Sequence, residues 1–483
     1  MSSLSSNPKN QWSSRWGFLL ATVGFAVGMG NIWRFPFVTG QNGGSAFLFI
    51  YLIAAVAIGL PLLIAELSIG RRGRSSASES ISRVAVECEA SSSWGLVGSL
   101  GVFCAFIILS YYSVISGWTL EYFLRAASGS LENIGPITSK EMFASLNDDP
   151  LRLCFWNTII YSLIIFVVRQ GVQDGIERSV KILMPALFIT LIIMVFYSVL
   201  TGDIVAATKF LLEPDFSKVN FGTVMQAIGQ AFFSIGIGWG TLIVFGSYLP
   251  KEYSIPQSAS LLIFMDTFVA LLAGFAIFPL VFKYGLEPSS GAGLAFETLP
   301  LAFGQMPGGR IFGSLFFILL ITASLSSCIG IAESVVSWVS QQWNITRLKA
   351  VNYTSGMAWL LGFFTIMSLG DWSNYFPLDF IPLFAEKNIF DALDFLAANI
   401  LLLVGSMMLS LFFGWFVSKK IKIHETDLSD GITFMILQFM ILTEMEYVVV
   451  MEMDHIALHI MAALLLVEDL SLILRQLHQL VVV

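Results

Sequence analysis

Charged side chains are scarce in this 483-residue sequence. Asp, Glu, Lys and Arg together make up 12% of the residues, hydrophobic residues make up 56%, and the mean hydropathy is +0.80. Soluble domains carry about 25% charged residues, so this composition excludes an ordinary soluble domain. Apolar runs of about 20 residues, the length that crosses a bilayer, recur along most of the chain. We therefore predict a polytopic membrane protein whose surroundings are the lipid bilayer.

The residues that usually carry catalysis or bind metals are also few. The four cysteines, Cys88, Cys104, Cys154 and Cys328, show no metal-ligand spacing and imply no extracellular disulfide. No histidine precedes His424, and we find no His-Glu-x-x-His, Gly-x-Ser-x-Gly or phosphate-binding loop. We expect neither an enzyme nor a protein that binds nucleic acid.

The apolar runs divide the chain into three regions. Residues 1–15 form an N-terminal segment, residues 16–418 a core of ten membrane segments, and residues 419–483 a divergent C-terminal region. An eleventh helix after residue 431 is doubtful because Glu444, Glu446 and Glu452 interrupt it, and each central acid costs about 2.5 kcal/mol or more on insertion scales. This region is either divergent or the product of a shifted reading frame. The ten segments lie near residues 16–39, 44–68, 95–125, 152–168, 180–200, 223–248, 256–284, 310–340, 351–369 and 390–418.

The basic residues predict the orientation. Lys and Arg concentrate in one set of alternate loops, including the 69–92 loop with Arg71, Arg72 and Arg74. By the positive-inside rule we expect this loop and the N-terminus to be cytoplasmic, in the plasma membrane. The polar start and the long first apolar run do not fit a signal peptide.

Two of the apolar segments contain helix-breaking residues. The first holds Gly24, Gly28, Gly30, Asn31, Arg34 and Pro36, and the sixth holds Gly229, Gly236, Gly238 and Gly240. Broken backbone survives in a bilayer only where protein or a cavity surrounds it. Paired interrupted helices five spans apart indicate an inverted-repeat transporter with its site near the midplane, the alternative being helices that are kinked for purely structural reasons.

The ordered set of motifs resembles the neurotransmitter:sodium symporter family, in particular its bacterial LeuT-type amino-acid transporters. The resemblance runs from about residue 12 to 418 and rests on the 24–36 and 229–240 segments, Tyr111-Tyr112, Gly117-Trp118-Thr119 and Ser326-Ser327. It implies an all-α fold of the LeuT type, a 5+5 inverted repeat with broken first and sixth helices.

The resemblance also implies two sodium sites and a substrate pocket between the broken helices. The first sodium site would use Ala26, Asn31, Ser234 and Asp266, and the second Gly24, Val27, Ala323, Ser326 and Ser327. The pocket would be lined by Phe25, Gly28, Met29, Gly30, Ile108, Tyr112, Phe233, Gly236, Trp239, Ser327 and Ile331. Monoamine-transporting members carry an aspartate where this chain has Gly28, so the glycine favours a substrate that brings its own carboxylate.

Gates at both ends follow from the same resemblance. Arg34 and Asp394 would pair above Phe233 on the outer side, while Lys9 and Tyr248 would belong to the inner gate. Gln341 stands where the family has an inner acid, so a direct ionic inner gate is in doubt.

The region around Asp266 predicts that chloride is not required. Many animal relatives have an asparagine at this position and a serine one turn later, where this chain has Ala270. Asp266 could supply the negative charge that chloride provides there, the alternative being a protonated aspartate that only donates a hydrogen bond.

We therefore predict sodium-coupled symport of a neutral, apolar or aromatic amino acid by alternating access. The alternatives are a substrate-binding receptor, an uncoupled channel of the same fold, or a member inactivated by its C-terminal region. The transported amino acid, the stoichiometry and the oligomeric state stay open.

Overall fold

The computed structural model describes residues 11–287 and 294–426, and this part of the chain is helical without a β-strand. The long apolar stretches of the sequence favour helices, because a single segment in a bilayer satisfies its own backbone polar groups only as a helix. The α-helices are α1 (Arg15–Ala26), α2 (Phe35–Gln41), α3 (Ser45–Ala54), α4 (Leu60–Gly73), α5 (Ala77–Glu87), α6 (Gly95–Ser128), α7 (Pro136–Asn147), α8 (Pro150–Val168), α9 (Arg178–Thr201), α10 (Ile204–Leu212), α11 (Phe221–Ile235), α12 (Thr241–Ser247), α13 (Ile255–Lys283), α14 (Leu299–Gln305), α15 (Gly309–Gln342), α16 (Arg347–Leu369), α17 (Ile389–Phe395), α18 (Leu402–Leu411) and α19 (Lys419–Thr426).

Short segments of other helix types continue or connect these helices. Three 3₁₀ turns span Ser92–Trp94, Phe216–Lys218 and Pro382–Phe384. π-Helical segments, which often occur at functional sites, span Gly30–Arg34, Ala55–Gly59, Val172–Glu177, Leu294–Thr298, Leu396–Leu401 and Phe412–Phe416.

The described helices agree with the membrane architecture. Seven are long and apolar enough to cross a bilayer, and an eighth span results if Arg15–Ala26 and Gly30–Gln41, bent by 48°, are taken together. The sixth and ninth predicted segments correspond to the short pair α11 and α12 and to the 23-residue α16. The predicted all-α fold is confirmed, and the N-terminal orientation stays a prediction.

Both predicted breaks are present. The first separates α1 from the π-helical turn Gly30–Arg34 that leads into α2. The second separates α11 from α12, where Gly236, Gly238 and Gly240 have φ values of +76°, +83° and +71°. Side chains with a Cβ rarely adopt this left-handed backbone, so these glycines allow the chain to leave the helix and start a new one.

The region after residue 418 begins packed against the core. Glu425 in α19 is buried, and its Oε2 accepts a hydrogen bond from Nε of the buried Arg71 at 2.7 Å. Nη1 of Arg71 donates to the carbonyl of Tyr253, also at 2.7 Å. The start of the predicted C-terminal region is therefore docked on α4, while the doubtful eleventh helix lies outside the described residues.

Candidate functional site

The break after α1 releases backbone carbonyls. The Gly28 N–H donates to the Ala26 carbonyl at 2.9 Å and to Asn31 Oδ1 at 3.2 Å, and the Asn31 N–H donates to the Gly28 carbonyl. In an uninterrupted α-helix those two N–H groups would bond to the carbonyls of Gly24 and Val27. These two oxygens, both assigned by resemblance to the second sodium site, therefore lose their helical partners.

A buried cluster of polar side chains joins this break to α11 and α13. Asn31 Nδ2 donates to Ser234 Oγ at 3.0 Å and to Asp266 Oδ1 at 2.8 Å. Ser234 Oγ donates to Asp266 Oδ2 at 2.9 Å, and the Tyr51 hydroxyl donates to the same oxygen at 3.1 Å. The Asp266 carboxylate therefore has three neighbouring side chains that can donate hydrogen bonds to it. The structure thus brings Asn31, Ser234 and Asp266 together, and it adds Tyr51, which the sequence analysis did not name.

The two serines on α15 face the opposite side of the same break. Ser327 Oγ donates to the Phe25 carbonyl at 2.9 Å, across 302 residues of sequence. Ser326 Oγ donates to the carbonyls of Thr322 and Ala323, at 2.9 and 3.0 Å. A Cβ placed on Gly24 would lie 3.5 Å from the Ser326 Cβ, so α1 and α15 approach closely here.

Gly28 lies against two hydroxyl groups. A Cβ at this position would be 2.5 Å from Ser327 Oγ and 2.8 Å from the Tyr112 hydroxyl oxygen, so a side chain would have to displace these hydroxyls. Tyr112 in turn accepts a hydrogen bond from the Met29 N–H at 3.0 Å. The backbone of the broken helix, the Tyr112 hydroxyl and Ser327 therefore converge on one point.

Aromatic rings form the apolar side of the site. The ring of Phe25 meets Trp239 edge-to-face at a centroid distance of 5.5 Å, and Phe233 meets Trp239 at 5.6 Å. A Cβ on Gly236 would lie 2.5 Å from the Phe25 ring, and one on Gly330 would lie 2.8 Å from it, so both glycines make room for Phe25. Gly330 was not foreseen, because a glycine inside a long apolar helix gives no signal of what packs on it.

The remaining predicted pocket residues lie on the expected helix faces. Ile108 precedes Tyr112 by four residues on α6, and Ile331 follows Ser327 by four on α15, a spacing that puts each pair on one face. Both isoleucines are fully buried. A Cβ on Gly30 would lie 3.4 Å from the Phe233 ring, which places this glycine below the outer aromatic side chain.

The outer-gate residues are near one another but do not form the predicted ion pair. The Arg34 guanidinium lies over the Phe233 ring, with Cζ 4.1 Å from its centroid. No ion pair joins Arg34 to Asp394 within residues 11–287 and 294–426, and Arg34 Nη1 has no hydrogen-bond partner there. The Asp394 carboxylate instead neighbours the buried Tyr111. In this conformation a cation–π contact replaces the expected pair, and a direct gate remains a prediction for another state.

The inner end contains an ionic contact that the sequence analysis missed. The Tyr248 hydroxyl donates to Oε1 of the fully buried Glu333 at 2.8 Å, and Arg347 Nη1 donates to the same oxygen at 3.0 Å. Arg347 also binds the second carboxylate oxygen. Gln341, by contrast, accepts hydrogen bonds from Ser75 Oγ and the Ser76 N–H. At this end the ionic contact is made by Glu333 and Arg347, and whether it acts as a gate stays a prediction.

The N-terminal segment closes over this contact. Trp12 is buried, its indole N–H donates to the Phe245 carbonyl at 3.1 Å, and its backbone N–H donates to the Tyr248 carbonyl. The Ser13 N–H donates to Glu177 Oε2 at 2.9 Å. Lys9, the predicted inner-gate cation, lies outside the described residues. The inner end is thus closed, whereas Arg34, Phe233 and Asp394 at the outer end are only half-buried.

A buried acid supports the second break. Glu66 on α4 is fully buried, and its Oε1 accepts a hydrogen bond from the Gly238 N–H at 2.7 Å. This bond satisfies a backbone donor that has no helical partner in the break. Glu66 therefore holds the non-helical segment in place.

The comparisons with known proteins agree with this geometry. The model of the sodium:neurotransmitter symporter family matches residues 9–133 and 149–463. The chain belongs to this family. It is 37% identical over 416 residues to the uncharacterized sodium-dependent transporter YhdH of Bacillus subtilis (strain 168), a similarity that covers 86% of this chain and 90% of that protein.

Two further proteins similar to this chain are a complex with an amino acid and an amino-acid transporter. The crystal structure of MhsT in complex with L-phenylalanine superposes with a TM-score of 0.83 at 38% identity, covering 91% of this chain and 99% of MhsT. The sodium-dependent nutrient amino acid transporter 1 of Drosophila grimshawi is 26% identical over 427 residues, covering 75% of this chain and 66% of that protein. The chain is therefore a multi-pass membrane protein and a sodium-dependent transporter, and the predicted family and fold are confirmed.

Proposed function

We propose that this protein carries a neutral amino acid with an apolar or aromatic side chain across the plasma membrane together with Na⁺, by alternating access. The observation that supports this most directly is the packing of Gly28. Gly28 has no carboxylate to offer, and a side chain at this position would have to displace the Tyr112 and Ser327 hydroxyls. A substrate that brings its own carboxylate would supply the missing group, and MhsT, 38% identical to this chain, binds L-phenylalanine.

The surrounding groups suit the two ends of such a substrate. N–H groups at the start of a half-helix attract an anion, and those of Met29 and Gly30 begin the outer half of the broken segment, beside the Tyr112 hydroxyl. Phe25, Phe233 and Trp239 offer apolar ring surfaces to the side chain. These three side chains are uncharged, which favours a substrate with an apolar or aromatic side chain.

Sodium is proposed as a co-substrate at two sites. Na⁺ is a hard cation that prefers oxygen ligands, and the cluster of Asn31, Ser234 and Asp266 is rich in oxygen and fully buried. The carbonyls of Gly24 and Val27 lose their helical partners at the break, and Gly24 packs close to Ser326. Each proposed sodium site and the substrate site include residues of the first broken helix. This shared segment supports coupling of sodium binding to substrate binding.

Independence from chloride is part of the proposal. Two sodium ions and a zwitterion leave net positive charge in a buried site, where uncompensated charge costs several kcal/mol. Asp266, with three donors directed at its carboxylate, is placed to supply the balancing charge, and Ala270 one turn later offers no hydroxyl to an anion.

The proposal is tested by uptake into proteoliposomes that contain the purified full-length protein. With an inward sodium gradient, labelled leucine, phenylalanine or tryptophan should accumulate above the external concentration, and replacing Na⁺ by K⁺ should abolish accumulation. A panel of unlabelled amino acids then identifies the preferred substrate.

The alternatives predict different results in the same assay. An uncoupled channel would equilibrate the substrate without accumulating it, and a receptor or inactive member would bind without uptake. The matched variant Tyr112→Phe, which removes a single hydroxyl, should raise the KM for the amino acid. Preference for glutamate, lysine or a monoamine would contradict the proposed substrate class.

A further inference from the structure

An apolar cleft of about 210 Å³ lies between α6, α15 and α16, away from the transport site. Its inner wall is formed by Val102, Val335 and Val339, which are buried. Its rim is formed by Phe103, Trp343 and Met357, which are 51%, 49% and 54% exposed. Since two of the three helices are predicted membrane spans, the opening faces hydrocarbon, so the cleft is accessible from the bilayer.

The cleft contains two polar atoms without a partner in the described part of the chain. Thr354 is 2% exposed and lines the cleft, and its Oγ1 makes no hydrogen bond, although such hydroxyls usually bond to their own helix. Nε1 of Trp338, another lining residue, is likewise buried and unpaired. Leaving such groups unsatisfied in hydrocarbon is energetically unfavourable, so both atoms favour a ligand that pairs with them.

The chemistry of these two atoms specifies their ligand. An indole N–H can only donate, and the threonine hydroxyl has a free proton to donate, so both call for an acceptor. All other surroundings are apolar apart from Ser99, whose hydroxyl donates to Ser78 Oγ at 3.0 Å. A fitting ligand therefore combines a hydrocarbon chain with a carbonyl oxygen near one end. Water alone would satisfy the polar atoms but not fill the apolar walls.

The position along α16 agrees with a lipid ester. Thr354 follows Arg347, the first residue of α16, by seven residues, which corresponds to about 10 Å along the helix axis. Lys349 on the first turn is exposed and makes no ion pair in the described residues, so a lipid phosphate could approach it. We propose that this cleft binds one acyl chain of a membrane phospholipid, whose ester carbonyl accepts hydrogen bonds from Thr354 and Trp338.

The site is separate from the proposed function. Val335 and Val339 follow Glu333 on α15 by two and six residues. Around the helix axis they are rotated from Glu333 by about 200° and 240°, so they lie on the opposite face. A bound chain would support the packing of α15 against α16, the two helices that Glu333 and Arg347 also join. If the proposed transport function is refuted, the lipid-binding proposal still stands. If lipid binding is refuted, the proposed transport function still stands.

The first test is photo-crosslinking in nanodiscs with phosphatidylglycerol that carries a diazirine on its acyl chain, followed by peptide mass spectrometry of the full-length protein. The labelling per residue should be at least five-fold higher in the cleft than on the exposed surface of α13. The cleft is represented by Val102, Phe106 and Val335, and the exposed surface by Phe264 and Phe268. Equal labelling of both surfaces would show only annular lipid and overturn the proposal.

Two variants extend the test. Val339→Trp fills the cleft and should reduce labelling there to the level of α13, and the isosteric Thr354→Val should reduce it several-fold by removing one donor. Ile192→Trp, on the exposed face of α9, is the matched control and should leave labelling unchanged.

A second measurement identifies the lipid. Native mass spectrometry should find one phospholipid per protein retained by the wild type and lost from Thr354→Val; a retained free fatty acid instead would refute the phospholipid assignment. If Val339→Trp does not fold, Thr354→Val decides, and unchanged retention in that variant refutes the proposal.

Discussion

Replacing Arg347 by methionine should open the inner end of the transporter. Glu333 is 0% exposed, and its carboxylate is bound by Arg347 through both oxygens and by the Tyr248 hydroxyl. Arg347→Met leaves a buried carboxylate with Tyr248 as its remaining donor. The variant keeps the approximate length of the side chain, so its main effect is the loss of charge and hydrogen bonds.

The size of the effect follows from burial. Breaking a buried ion pair by removing one partner costs about 3–5 kcal/mol, because the other charge remains without compensation. The Arg347 side chain is 29% exposed, so water reaches it and the lower value applies. About 3 kcal/mol corresponds to a change of roughly 10²-fold in the ratio of closed to open forms.

A buried serine near the contact offers a direct readout. Ser337 lies four residues after Glu333 on α15 and is buried in the closed inner end. In a background without the native cysteines, Ser337→Cys should react slowly with a maleimide, and adding Arg347→Met should accelerate the reaction by one to two orders of magnitude while sodium-driven uptake falls. Arg178→Met, which removes an exposed arginine on α9, is the matched control and should change neither.

The double variant isolates the pair. Glu333→Gln removes the buried charge but keeps an acceptor for Tyr248, so combining it with Arg347→Met should cost much less than the two single changes added together. Additive losses would show that the two side chains act independently. Wild-type reactivity at position 337 in Arg347→Met would refute the role of the pair in closure.

Three further changes test the transport site by uptake into proteoliposomes. Gly28→Asp should abolish amino-acid uptake, because its side chain would collide with the Tyr112 hydroxyl, whereas retained uptake would show that the space is not needed. Replacing chloride by gluconate should leave wild-type uptake unchanged, while Asp266→Asn should abolish it or make it chloride-assisted; loss of wild-type uptake without chloride would contradict Asp266 as the balancing charge. Arg34→Ala and Asp394→Ala should each impair uptake severely and the double variant little more, and full additivity would argue against a gating pair.

The fold could be predicted because its signals are local. Long apolar runs, few charges and glycines clustered in two spans specify membrane helices and their breaks without reference to distant residues. The structure contains both breaks, and the carbonyls of Gly24 and Val27 lose their helical partners at the first of them. The assignment of individual site residues to sodium or substrate stays a prediction.

The contacts at the gates could not be predicted, because they depend on which side chains meet in space. The motif comparison directed attention to Gln341, whereas the ionic contact is made by Glu333 two turns earlier on the same helix. An acid inside an apolar span is a functional signal by itself, and this one was available in the sequence. Arg34 shows the opposite case: the resemblance implies Asp394 as its partner, but the conformation places Arg34 over Phe233.

Ser327 connects the elements that the proposed mechanism must couple. Its hydroxyl donates to the Phe25 carbonyl at 2.9 Å and stands where a side chain on Gly28 would begin, beside the Tyr112 hydroxyl. A ligand at the second sodium site and a carboxylate at Gly28 would therefore both act on the same serine and the same turn of backbone. Because two ligands that stabilise one conformation raise each other's affinity, this shared contact offers a physical route by which sodium strengthens substrate binding. Glu333, which holds the inner end closed, lies on the same helix α15, less than two turns from Ser327. In the proposed mechanism, ligands bound at Ser327 would therefore oppose the opening of the inner end.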